Sequence, residues 1–275
     1  MTNVLTIGKI TSALEMWAPL SLQEHYDNSG LILGSPSQEV RKVLICFDLK
    51  PEVIEEAIAV KADLIISHHP AIFKGLKRID PLSLLGKMLK QSLENNISWY
   101  AMHTNLDNVI DGVNKVLADR LGLKDRHPVL PAETIRLEDR PGAVTVEETG
   151  AGVVGNVDAI QGVDLLSLLK EATGVPVVRH SGNCPSVVRR VALCGGAGAF
   201  LMDNALQLGV DVLITGDVRY HDFFDAAAKG LWVVDIGHFE SEQFAKQTIL
   251  RFFTKNFPTF AALVSEKETP TVYYF

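Results

Sequence analysis

Two segments of this chain, 148 residues apart (189 minus 41), carry the same pattern, and that repetition limits the folds open to it. Arg41-Lys42-Val43-Leu44-Ile45-Cys46 resembles Arg189-Arg190-Val191-Ala192-Leu193-Cys194. At the same offset, Asp63-Leu64-Ile65-Ile66-Ser67 falls on Asp211-Val212-Leu213-Ile214-Thr215. Between the first pair of runs, Pro51 suits a first helical position, and Val53, Ile54, Ala57, Ile58 and Val60 supply one apolar helix face. Short, continuous apolar runs separated by amphipathic helices are what parallel strands buried on both faces look like. The fold this predicts is α/β, with two similar lobes arising from an internal duplication.

The first copy runs directly into Ser67-His68-His69-Pro70. Open α/β sheets bind ligands beyond the carboxyl ends of their strands, where a turn lets two neighbouring side chains face one crevice. The pair by itself is equally compatible with one histidine capping a turn and the other lying on the surface. In the second copy the corresponding residues are Gly216-Asp217, with Asp217 a lesser candidate as ligand or as hydrogen-bond acceptor to one. Each half then ends another strand in His-x-x-x-carboxylate: residues 97–102 lead into His103 and Asp107, and residues 232–237 into His238 and Glu242. Positions i and i+4 share a helix face, so each motif is a chelating pair if a helix starts there.

The donor set is therefore His68, His69, His103, Asp107, His238 and Glu242. Imidazoles and carboxylates without thiolates suit two divalent ions of the zinc, iron, manganese or cobalt type, not a structural zinc or a calcium site. Two such ions activate water and clamp an oxyanion, which favours hydrolysis. No flavin or nicotinamide fingerprint competes. Gly195-Gly196-Ala197-Gly198 breaks the dinucleotide spacing and reads as tight strand-to-helix packing rather than a phosphate loop. His221 is a candidate general acid or base, or a partner to a ligand; a helix-capping or surface role fits it equally. His25, His127 and His180 lack partners at ligand spacing and read as structural or exposed. Asp27 and Asn28 read as turn formers, and the basic run Lys74-Gly75-Leu76-Lys77-Arg78 as a solvated face.

Composition excludes several classes. With 47% hydrophobic and 21% charged residues over 275 positions, the chain can bury a core and lacks the bias of disordered proteins. A net charge of −7 does not support nucleic-acid binding, although it leaves room for a local basic groove. Cys46 and Cys194 lie in apolar runs and read as small buried hydrophobes, while Cys184 sits in a turn and is ambiguous. Neither a signal peptide nor an apolar run long enough for a bilayer is visible, so the expected location is the cytoplasm. Helices are expected over residues 5–18, 82–94, 113–121 and 240–256. The stretch 127–150, rich in proline and glutamate, reads as the way into a second lobe. The division expected is a first lobe over 1–127, completed by the C-terminal 238–275, and a second over 128–237.

In this order the motifs resemble the Nif-three-like dinuclear metal-centre proteins, which include the GTP cyclohydrolase type 1 type 2 homologues. The carriers are Glu15-x-x-Ala18-Pro19, Tyr26-Asp27-Asn28-Ser29-Gly30-Leu31, Ser67-His68-His69-Pro70, His103-Thr104-Asn105-Leu106-Asp107, Thr215-Gly216-Asp217 through His221-Asp222, and Gly237-His238-x-x-x-Glu242. Tyr26 departs from the tryptophan expected before Asp-Asn. The resemblance implies a two-lobed subunit with two metals held by His68, His69, Asp107, His238 and Glu242, in a cleft between the lobes. His103 joins that set through the repeat. The resemblance also implies a toroidal homohexamer, here in a compact version without the inserted domain of larger members. The expected function is a metal-dependent hydrolase, GTP cyclohydrolase-like or acting on a small nucleotide or phosphate-bearing substrate through metal-activated water. The rival is a non-catalytic, ring-shaped metal-binding scaffold or regulator that binds protein or nucleic acid.

Overall fold

The computed structural model describes residues 5–132 and 149–275; most of the expected link over 127–150 lies outside the described residues. The chain forms two compact α/β units, one containing residues 5–106 and 245–269, the other residues 107–132, 149–244 and 270–275.

The first unit is built on a five-stranded sheet in the order Gly30–Leu33, Ser98–Ala101, Leu64–Ser67, Lys42–Cys46, Ala261–Val264. All neighbours are parallel except Gly30–Leu33, which lies antiparallel at one edge. The central strands are buried along their length because residues alternate between two covered faces. Leu44, Cys46, Ile65 and Trp99 point into the core that Val53, Ile54 and Ala57 of the helix Pro51–Val60 complete. Val43, Ile45, Leu64 and Ile66, the alternate residues, are equally inaccessible. Each such side chain contributes about 1.5–3 kcal/mol relative to exposure.

The second unit has six strands, ordered Lys124–His127, Val153–Ile160, Val188–Leu193, Val212–Thr215, Trp232–Asp235, Arg179–His180. Val188–Leu193, Val212–Thr215 and Trp232–Asp235 run parallel. Val191, Val212 and Trp232 face one core, while Ala192, Leu213 and Val233 face the other. Parallel pairing sets Val191 against Val212 here and Val43 against Leu64 in the first unit. An aspartate secures the first of these strands in both cases. Asp63 Oδ2 accepts the Arg41 and Lys42 amides at 2.8 and 3.1 Å, and Asp211 Oδ2 accepts those of Arg189 and Arg190 at 2.7 and 2.9 Å.

The expected helix over 240–256 is in fact two, His238–Glu242 and Ala245–Asn256. Tertiary contacts at the join override the continuous apolar pattern. Gln243 donates to the Thr173 carbonyl at 3.1 Å, and Arg120 stacks 4.5 Å over the Phe244 ring. Among the described residues, no helix is long and apolar enough to cross a membrane.

Cys46 and Cys194 are buried and Cys184 is half-buried. Burial pushes both buried thiols well above the usual range, reinforced at Cys46 by Glu268 and at Cys194 by Asp107 and Glu242. Since the thiolate is the nucleophile, brief iodoacetamide treatment of the folded protein should label Cys184 alone, and unfolded protein at all three positions. Peptide mass mapping that finds Cys194 alkylated in the native state would contradict this.

Candidate metal centre

In the first unit the strand Leu64–Ser67 ends in a tight bend. The His68 amide donates to the Cys46 and Phe47 carbonyls, both at 3.1 Å, and the His69 amide to the Phe47 carbonyl at 3.0 Å. The bend defeats the divergence of adjacent side chains, and the two rings lie with centroids 5.0 Å apart. His103, entering the helix Thr104–Asp107, brings its ring to 5.4 Å from His68 and 5.1 Å from His69. Phe47 packs against the two neighbouring histidines at 5.4 and 4.5 Å. Three imidazoles predicted as donors are thus gathered in one place.

Each of these rings is oriented through Nδ1. His68 Nδ1 lies 2.7 Å from the Met102 carbonyl, His69 Nδ1 2.7 Å from Asp48 Oδ1, and His103 Nδ1 2.7 Å from Asp27 Oδ1. A carbonyl or carboxylate oxygen only accepts, so the network assigns the proton to Nδ1 and leaves the lone pair on Nε2. Burial works against ionising Asp27, but the hydrogen bonds from His103 and Thr104 and the charge of His103 outweigh it, holding the carboxyl far below its usual range. Asp48 is likewise lowered against its burial, by His69 first and then by Lys50.

Asp27 was expected to form only a turn. It does accept the Asn28 amide at 2.7 Å and the Ser29 hydroxyl at 2.9 Å, and in addition it orients His103. Asp48 gave no sequence signal beyond its place just past the end of a central parallel strand, beside the strand that ends in His68.

In the second unit Gly237, at φ 81°, turns the strand Trp232–Asp235 into the helix His238–Glu242. His238 Nε2 lies 3.0 Å from Glu242 Oε2, so the two side chains share a helix face there. His238 Nδ1 is 2.8 Å from Asp217 Oδ2, so Asp217 takes the acceptor role foreseen for it. The loop carrying Asp217 is tied down by Asp235, a buried residue that sequence reasoning missed. Its carboxylate accepts the Val218 amide at 2.9 Å and the Gly237 amide at 2.8 Å, and it pairs with Arg179. Asp107 and Glu242 both bear on the buried Cys194 thiol. His221 is exposed, with its ring edge-on to Tyr220 at 5.4 Å. His127 and His180 hydrogen-bond backbone carbonyls, in keeping with structural roles.

The glycine run has a more specific purpose than strand-to-helix packing. A Cβ on Gly196 would lie 2.1 Å from Glu242 Oε1, and one on Gly195 2.7 Å from Glu242 Cγ. The Gly196 amide donates to Ser241 Oγ at 2.9 Å, and that of Gly195 to Asn114 Oδ1 at 2.8 Å. The run is a cradle for the Glu242 carboxylate. Gly196→Ala should therefore displace Glu242 and weaken metal retention about tenfold or more. Gly209, at φ +64° with nothing within 4 Å of an added Cβ, is the control for backbone strain, because Gly196 has φ +62°. Equal metal content in the two variants, measured by plasma mass spectrometry, would refute the cradle.

His68, His69 and Glu242 are candidate metal donors. A family model described as Duf34/NIF3 (NGG1p interacting factor 3) matches residues 5–270. The chain belongs to the Duf34/NIF3 family. Among curated NIF3 relatives, the GTP cyclohydrolase 1 type 2 homolog of Clostridium perfringens is 33% identical over 244 residues, covering 86% of this chain and 87% of that protein. A crystal structure of a hypothetical protein from Staphylococcus aureus matches with a TM-score of 0.87 at 28% identity, over 99% of this chain and all of the other. A Bacillus cereus protein related to NIF3 has the same fold, with a TM-score of 0.87 at 24% identity over the whole of both chains. The α/β expectation and the NIF3 resemblance are borne out.

Proposed function

We propose that this NIF3 protein is a metal-dependent hydrolase acting on a small nucleotide or phosphate-bearing substrate. In this reading His68, His69, His103, Asp107, His238 and Glu242 hold two divalent ions. The observation that carries it is that all four candidate histidines, in both units, engage an oxygen acceptor through Nδ1. That is how a protein prepares imidazoles for coordination through Nε2. The donors are nitrogen and carboxylate oxygen only, a set that fits zinc, iron, manganese or cobalt.

Such ions, when bound, supply Lewis acidity and lower the pKa of water. The chain's own residues do the rest. Asp27, Asp48 and Asp217 fix the rings, the glycine cradle fixes Glu242, and exposed His221 is assigned proton transfer with the substrate. The name carried by the Clostridium perfringens relative makes GTP the first substrate to test.

The test is turnover of GTP and of a panel of phosphate monoesters, by protein stripped with dipicolinate and reloaded with each metal. Activity that returns with metal and is lost in Glu242→Gln, with an unchanged melting curve, is the expected result. No turnover by metal-loaded protein would overturn the enzymatic reading and leave the scaffold. Unfolding on chelation would assign the metal a structural role instead.

A further inference from the structure

The segment between His69 and the helix Leu84–Glu94 is a long irregular arm, of the kind that functional loops use. Its root is fixed to the histidine cluster. Asn28 Nδ2 donates to the Ile72 carbonyl at 2.6 Å, and the Phe73 ring stands edge-on to His103 at 5.3 Å and 83°. Beyond that root, residues 73–79 are all exposed. Lys74, Lys77 and Arg78 make no hydrogen bond or ion pair among the described residues. Asp80, the nearest acid in sequence, is engaged in turning the chain into the next helix, accepting the Leu82 amide at 2.9 Å.

We propose that residues 73–78 are an anion-binding arm, whose cations take the phosphate groups of a small substrate presented to the histidine cluster. A lone surface lysine is normally just solvated. Here three cations fall within five positions of a chain whose net charge is −7, with no acid neutralising them, directly after an aromatic ring seated on a candidate ligand. An unneutralised basic cluster on an acidic body concentrates field at that spot and draws small anions to it. Three cations suit a di- or triphosphate, whereas a long polyanion would meet the negative remainder of the chain. The proposal rests on the reading that the site handles phosphate-bearing substrates, and it has its own readout.

The experiment is calorimetric titration of the full chain with inorganic pyrophosphate at low and moderate salt, with metal content measured before and after. The variant is K74A/K77A/R78A. The control is K87A/K255A/K267A, which removes the same charge at exposed lysines elsewhere. The arm variant should bind pyrophosphate about tenfold or more weakly, with a shallower salt dependence, while the control stays within about twofold of wild type. Metal content should be the same in all three. Equal losses in both variants would reduce the effect to net charge and overturn the arm. So would a protein that holds metal but ignores pyrophosphate, which leaves the metal reading standing. Binding lost only in the arm variant, by a protein that retains no metal even when prepared with excess metal, would support the arm and sink the metal reading. Tighter binding of a short single-stranded oligothymidylate, lost in the same variant, would assign the arm to nucleic acid and overturn the small-anion proposal.

Discussion

Replacing His68 or Glu242 by alanine is expected to abolish stable metal retention, with affinity falling about 100-fold or more. Removing a group that merely orients a ligand typically costs 10–100-fold, and these substitutions remove the donor itself. Wild-type protein prepared with excess metal should carry about two equivalents per subunit, as a paired-ion site requires. Both side chains are buried, with His68 at 0% and Glu242 at 4% exposure, so the fold must be checked alongside. Glu242→Gln keeps the shape in the glycine cradle and removes the charge, and it should lose metal while melting near wild type. Plasma mass spectrometry after gel filtration reads the content. Full metal content in all three variants would remove these residues from the centre.

Asp235→Ala should be the most damaging substitution outside the donors. Its carboxylate is 2% exposed and takes two backbone amides, those of Val218 and Gly237. The Arg179 side chain is itself 57% exposed, so its charge returns to water at little cost when the partner is lost. The penalty lies in the two amides left without their acceptor, at about 1–3 kcal/mol each. A loss of about 2–5 kcal/mol lowers Tm by roughly 5–15 °C at the sensitivity of a chain this size. Those amides flank Asp217 and His238, so metal retention should fall with stability. Asp235→Asn keeps one carbonyl acceptor and should be intermediate in both. Differential scanning fluorimetry within about 2 °C of wild type for the alanine variant would show that Asp235 is not the tie described.

How much of this was legible in the sequence depended on burial and on distance along the chain. The central strands announced themselves because both faces are covered, which forces runs such as Leu64-Ile65-Ile66 and Val212-Leu213-Ile214. Two edge strands did not. Lys124–His127 pairs through its backbone while presenting charged side chains, and the Ala261–Val264 strand is half exposed. The candidate donors stood out as local spacings at strand ends. Asp27 and Asp48 did not, since they lie 76 and 21 residues from the histidines they hold, and nothing local marks the pairing. Asp217 was visible because it stands 148 residues after His69, at the same offset that relates the two apolar strand patterns. The glycine run was read as packing because the carboxylate it accommodates lies more than 40 residues further on.

The parallel pairing of Ala261–Val264 with Lys42–Cys46 also sets an order on biosynthesis. The ribosome finishes the strand ending at Cys46 long before it reaches Ala261. At about 5–20 residues per second, that strand waits roughly 10–40 s for its outer neighbour. Throughout that interval it is an apolar sheet edge with unpaired backbone, the surface most prone to capture another nascent chain. The second unit, lying almost wholly between, can close on itself first. A truncated transcript or a stalled ribosome therefore leaves the first sheet one strand short, and chaperone demand should peak before the last residues emerge.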